Sequence, residues 1–180
     1  MEDIHRRVIK IQTIGYHGTT KENAEKILSE QRFYDSRKNN EWLGTGVYFF
    51  TYRKHAEWWV STPRYNDKET RLLQAHLEYI PEQLVDLDDP AQLASLENMA
   101  KRVAARINAS DKNIIADCRT VGNAKRWCWA CNLLKKLCPK IGIIIYTFPQ
   151  PYINYVSGFY SNQRQICVSN HSIIKSVESV

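Results

Sequence analysis

Two short stretches hold residue types that could do chemistry together. The first is Tyr16-His17-Gly18-Thr19-Thr20, and the second, about thirty residues on, is Leu43-Gly44-Thr45-Gly46-Val47-Tyr48-Phe49. Each puts a glycine, which lets the backbone approach a ligand closely, beside a side chain that can hydrogen-bond or stack. The residues around His17 read as a strand ending at a helix start, so His17 and Gly18 are expected at a strand-to-helix corner with backbone groups facing outward. Thr19 with Glu22 three residues later reads as a capping box. No other chemistry competes well. Cys128-x-x-Cys131 is one pair without a second and lies inside an expected helix, where a zinc site wants four ligands. It therefore reads as core. His5, His55, His76 and His171 have no metal spacing, and no metal is expected. Neither a Ser-His-Asp nucleophile motif nor a Gly-rich phosphate loop ending in Gly-Lys-Ser/Thr is present.

The elements that must position these residues alternate irregularly. "IQTIGYH" and "GVYFF" read as strands around a helix begun near Thr19, and "RKHAEWWV" as a helix. The segment 61–70 is a polar loop. Leu73, Ala75, Leu77 and Tyr79 alternate with polar residues, the clearest strand signal in the chain. Residues 90–108 carry Leu93, Leu96, Met99, Ala100, Val103 and Ile107 on one helical face, with Pro90 suited to the first turn. A second helix is expected over 123–138, then the strand "GIIIYTF", then "QRQICV" and "SIIKSV" as two strands split by Ser169-Asn170. Strands and helices without regular alternation predict an α+β fold. No linker or repeat divides residues 1–180, which read as one domain.

Composition narrows the class. A hydrophobic fraction of 43% with ten Tyr and five Trp suits a chain that buries a core. No apolar run approaches the roughly 18 residues of a membrane span, so no membrane partner is expected. The five cysteines show no framework spacing and the N-terminal residues no apolar leader, which predicts reduced thiols and a cytoplasmic location. Net charge is +6, and its placement is uneven. Residues 1–117 hold 17 basic against 18 acidic side chains, while residues 118–180 hold 8 against 1. Such asymmetry suits a polyanionic partner. The helix near 123–138 adds Lys125, Arg126, Lys135, Lys136 and, just beyond, Lys140 beside Trp127 and Trp129. Basic side chains hold phosphates and exposed aromatics stack on unpaired bases. The two Trp point about 200° apart on a helix, so one is expected exposed or at a site.

The order strand–His17-Gly18-Thr19–helix, then Gly44-Thr45-Gly46-Val47-Tyr48, then a late strand led by polar Gln165, resembles the ADP-ribosyltransferase superfamily. It is most similar to the diphtheria-toxin and poly(ADP-ribose) polymerase branch with its His-Tyr-Glu triad. The resemblance spans about residues 14 to 175, with little of it between 80 and 140. It implies an ADP-ribosyltransferase-like pair of small packed β-sheets with flanking helices, and NAD as co-substrate. NAD is cleaved at the nicotinamide–ribose bond through a cation-like transition state akin to that of glycosidases. By resemblance, Gly18 grips the carboxamide through its backbone and His17 hydrogen-bonds the adenosine ribose. Tyr48 stacks on the nicotinamide, Gly44 and Gly46 turn the chain beneath it, and Trp58 supplies a second aromatic. Thr19 belongs to the same binding stretch.

The third position departs from the triad. Gln165 can accept the ribose hydrogen bond that a Glu would, but it carries no charge. A charge-assisted bond is worth about 1–3 kcal/mol more than a neutral one, one or two decades in rate. Three readings of Gln165 stay open: transfer of a single ADP-ribose, NAD or ADP-ribose binding without turnover, or a disabling substitution. Gln163, two residues earlier on the same strand face, is a candidate for positioning the acceptor. The expectation is a mono-ADP-ribosyltransferase, His17, Tyr48 and Gln165 its catalytic set. It resembles a bacterial toxin or defence effector restrained by an antitoxin. The expected acceptor is a nucleic acid, RNA or single-stranded DNA, contacted through Lys125, Arg126 and Trp129. A protein side chain is the alternative acceptor.

Overall fold

The structure, a computed structural model, describes residues 9–110, 123–149 and 162–180. Its first strand, β1 (Ile11–Thr20), is longer than the sequence pattern implies. Ten consecutive residues of β1 pair with β3 (Thr70–Tyr79), from Ile11↔Tyr79 to Thr20↔Thr70. His17 and Gly18 therefore lie within a strand rather than at a corner. The helix α1 (Lys21–Glu30) starts later for the same reason. Its N-cap is Thr20, whose hydroxyl accepts from the Asn23 N–H at 3.4 Å, and Thr19 is buried in the strand. Ala24 and Ile27 form its inward stripe, and Gln31 closes it in the left-handed region at φ 48°.

The expected β3, with Leu73, Ala75, Leu77 and Tyr79 inward, is as the alternation predicts. Between β1 and β3 lie β2 (Val47–Phe50) and α2 (Arg53–Val60). The 61–70 loop contains a single 3-10 turn at Pro63–Tyr65. After β3 come β4 (Leu84–Asp86), α3 (Pro90–Ser110), α4 (Asn123–Leu137) and β5 (Ile143–Phe148). In β5, Ile143, Ile144 and Ile145 are all buried, so the strand is covered on both faces. The chain ends in β6 (Gln163–Val168) and β7 (Ile174–Ser179).

The described strands form one seven-stranded sheet in the order β4-β5-β6-β2-β1-β3-β7, flanked by the four described helices. Mixed α/β architecture is as expected; a pair of separate sheets is not. The reason lies at the centre. β1 and β2 share a single register pair, Tyr16↔Phe50, whereas β2 pairs four residues with β6. One pair joins what are otherwise two half-sheets. The half-sheets turn apolar faces to a common core: Val47, Phe49, Ile143, Ile145, Ile166 and Val168 from one, Leu73, Ala75, Leu77 and Val177 from the other, with Ala24 and Ile27 of α1. On the opposite face of the β4–β2 half, α3 and α4 enclose a second core around Leu43, Leu87, Leu96, Cys131, Ile144 and Cys167. Cys128 and Cys131 are buried, as their helical placement predicts.

Candidate active site

Where β1 and β2 part, a cleft opens beside Tyr48 in two joined compartments. The smaller, about 190 Å³, is lined by His17, Gly18, Thr19, Tyr34, Ser36, Gly46, Phe50 and Tyr65 together with Glu41, Tyr48, Trp59, Arg64 and Gln165. The larger, about 620 Å³, shares those last five and adds Lys38, Asn40, Trp42, Leu43, Leu87, Trp127, Tyr146, Phe148 and Pro149. His17, Gly18, Thr19, Tyr48 and Gln165, drawn from three strands, thus line one space. The register explains how: Gln165 lies opposite Phe50, and Phe50 opposite Tyr16, one residue before His17.

The His17 ring spans the parting. Its Nδ1 donates to the Tyr48 carbonyl at 2.8 Å, a contact that takes the place of a ladder bond. A carbonyl only accepts, so Nδ1 carries the proton and Nε2 of the neutral ring is an acceptor. Burial lowers the pKa of His17 against the raising effect of that hydrogen bond, which favours the neutral ring at pH 7. The ring packs edge-on against Phe33 and Phe49, with centroids 5.4 and 6.0 Å away.

Gly18 presents main chain to the cleft. Its partner Leu72 turns its carbonyl to the Val180 N–H on the far side, so Gly18↔Leu72 is a pair that exchanges no ladder bonds. The Gly18 N–H and C=O both point away from β3, and the Tyr65 hydroxyl reaches that carbonyl at 3.4 Å. Glycine is needed here for a second reason. A Cβ would lie 2.6 Å from Val60 Cγ1 and 2.9 Å from the Ala56 carbonyl, where β1 packs on α2.

Tyr48 is anchored by its hydroxyl, which donates to the Gly44 carbonyl at 2.7 Å and accepts from the Leu43 N–H at 3.0 Å. Burial drives its phenol pKa far above the ordinary value, so Tyr48 is no proton donor to a base and offers only its ring. The loop beneath it is tight: Gly44 has φ +79°, and a Cβ there would meet Asn132 Oδ1 at 2.5 Å. That same Oδ1 accepts from the Thr45 N–H at 2.7 Å. Lys135 of α4 completes the fixation, its Nζ donating to the Leu43 and Thr45 carbonyls at 2.8 and 2.7 Å and lying 3.3 Å from Cys167 Sγ. Lys135 is therefore tied to the glycine loop and does not serve as a phosphate-binding member of a basic helix face.

Several expected site residues lie elsewhere. Trp58 does not line the cleft; Trp59 does. The α2 face that packs inward is centred on fully buried Ala56, and positions three and four onward on that face are Trp59 and Val60. The Trp59 indole N–H donates to the Tyr65 hydroxyl at 3.0 Å, and the Arg64 guanidinium lies 5.3 Å from the Trp59 ring. Lys125 is exposed on α4 and lines neither compartment, while Arg126 and Trp129 line a separate groove between α3 and α4. Trp127 instead reaches the larger compartment, stacked on Tyr146 at 6.3 Å. Gln163 is buried, pairs in register with Phe148, lines neither compartment and leaves its Nε2 without a hydrogen bond. Sequence reasoning missed Glu41, Trp42, Arg64, Tyr146 and Phe148, most of them in turns or at strand ends where no periodicity marks them. Among the described residues no group of three or more His, Cys, Asp and Glu could hold a metal. No described helix is long and apolar enough to cross a membrane.

No family model matches the chain, and no solved structure matches it. Over 45 residues, a quarter of its length, the chain is 42% identical to an uncharacterized protein of Methanocaldococcus jannaschii. That match spans 21% of the relative's own length.

Proposed function

We propose that the cleft binds NAD and that the chain is a mono-ADP-ribosyltransferase with an ADP-ribosyltransferase-like fold. One observation carries the reading: His17, Gly18, Tyr48 and Gln165, widely separated in sequence, line the same cleft in the order the resemblance requires. The chemistry of each fits a nicotinamide dinucleotide. The outward N–H and C=O of Gly18 match a carboxamide, which needs one donor and one acceptor. The acceptor Nε2 of His17 suits a ribose hydroxyl. The Tyr48 ring, its hydroxyl already engaged, is left to stack on the nicotinamide, and Trp59 takes the second aromatic role. Arg64 supplies a cation for the diphosphate. Bound this way, the nicotinamide–ribose bond is held still and water is kept from it, which is where orientation lowers a barrier.

The acceptor we favour is an unpaired nucleobase of RNA or single-stranded DNA. Trp42, Trp127, Tyr146 and Phe148 line the larger compartment, and stacking on such rings is worth about 1–3 kcal/mol per base. A cytoplasmic toxin or defence effector held in check by an antitoxin is the biological setting this chemistry suits. The uncharged Gln165 favours a second reading, a module that binds NAD or ADP-ribose without turnover. Labelled NAD incubated with the protein and a cell lysate, followed by separate RNase, DNase and protease digestion, tests both. Label removed by a nuclease alone is the expected result. Label removed by protease alone moves the acceptor to a protein side chain, and bound but intact NAD with no label transferred leaves the binding module.

A further inference from the structure

The triad position is uncharged, yet the cleft is not without a carboxylate. Among the described residues lining either compartment, Glu41 is the only Asp or Glu, and it lines both, as Tyr48 and Gln165 do. It sits at the junction where a ribose in the smaller compartment would meet an acceptor in the larger. Its mounting is firm. The Ser36 hydroxyl donates to its carboxylate. Ser36 is itself bridged to Gly46 by two backbone bonds, Ser36 N–H to the Gly46 carbonyl at 2.8 Å and Gly46 N–H to the Ser36 carbonyl at 3.2 Å. The Glu41 carbonyl accepts from the Gly44 N–H at 3.0 Å. The carboxylate is thereby carried by the loop that leads into Tyr48, and its charge contributes to raising the phenol's pKa.

Resting on the NAD reading above, we infer that Glu41 is the catalytic carboxylate of this site, the general base that receives the acceptor's proton. In that step the bond from the ribose C1′ to the nicotinamide nitrogen breaks, and its electron pair neutralises the pyridinium as nicotinamide leaves. The acceptor's N or O forms the new bond to C1′, and the proton it sheds passes to Glu41. Its negative charge also opposes the positive charge developing on the ribose. Gln165 keeps the hydrogen-bonding role, and the charge comes from a different part of the fold.

The test compares the full chain with Glu41→Gln and Glu41→Asp, reading two quantities. NAD affinity is followed by quenching of tryptophan fluorescence, and transfer by label moved from NAD into lysate macromolecules. The expected result is NAD affinity of Glu41→Gln within about threefold of the parent and a transfer rate lower by about 10²–10⁴, with Glu41→Asp between the two. Retained affinity shows the variant folded. A Glu41→Gln transfer rate within about threefold of the parent overturns the inference while leaving the NAD reading intact. A parent chain that does not bind NAD, or binds it and transfers nothing, overturns the reading itself and this inference with it.

Discussion

The two compartments of the cleft are built by opposite means. The smaller sets strand residues, His17, Gly18 and Thr19 on β1, Tyr48 and Phe50 on β2 and Gln165 on β6, each fixed by register, against loop and helix residues such as Ser36, Glu41 and Arg64. The larger gathers Trp42 from a loop, Trp127 from α4 and Tyr146 and Phe148 from β5. Main-chain groups, one neutral imidazole and the charged Glu41 and Arg64, which it shares with the second, give the first its polar character; aromatic faces dominate the second. A sheet holds positions to a fraction of an ångström; converging side chains make a surface that accommodates more than one shape. Under the proposed function, the smaller compartment would hold NAD and the larger would choose the acceptor.

The sharpest way to break this division is at Gly18. In Gly18→Val the new side chain drives into Val60 and the Ala56 carbonyl, and overpacking of this kind costs about 1–3 kcal/mol. NAD binding is expected to vanish along with a lowered melting temperature, and a folded variant with parental affinity would remove the smaller compartment from the argument. Next is Lys135→Met, which leaves the Leu43 and Thr45 carbonyls without their charged donor, a loss of about 1.5–3 kcal/mol. Chemical denaturation should show it, and NAD affinity should fall with the loosened glycine loop. Affinity unchanged in the destabilised variant would mean that the loop does not shape the binding wall.

Trp127→Ala acts on the other compartment. Label transfer should drop about tenfold through loss of stacking, with NAD affinity unmoved. Equal losses in both quantities would merge the compartments into one site. The smallest effect is with pH. His17 and His55 both have pKa values lowered by burial from the ordinary 6.5. Between each folded-state value and 6.5 the unfolded chain binds more protons than the folded one, so stability falls as pH drops through that window and is level above it. Melting curves from pH 7.5 to 5 should show a shallower acid loss for His17→Gln than for the parent; parallel curves would separate His17 from the effect.

Legibility in the sequence follows the same division. β3 was readable because four apolar residues alternate through it, whereas His17, Tyr48 and Gln165 were singled out through the family resemblance and it is strand pairing that brings them to one cleft. The end of β1 was not, because Thr19 and Thr20 are equally good caps and only pairing with Arg71 and Thr70 extends the strand past them. Trp58 and Trp59 differ by 100° of helical phase, and nothing local says which one the contact with β1 will select. Lys135 looked like its solvated neighbours on α4 since its carbonyl partners lie some ninety residues away. The joining of two half-sheets through Tyr16 and Phe50 is likewise a long-range fact, written in no stretch of sequence short enough to read.

That join gives His17 a structural role of its own. Proteins open in cooperative blocks, and a sheet narrowed to one residue pair is a natural seam between two of them. Across the seam run the Tyr16–Phe50 pair and, beside it, an imidazole on a carbonyl. A molecule touching both Gly18 and Gln165 would act as a clasp between the blocks, so occupancy should be legible far from the cleft, as matched slowing of amide exchange in β3 and β5. His17 would then double as the hinge pin of the fold.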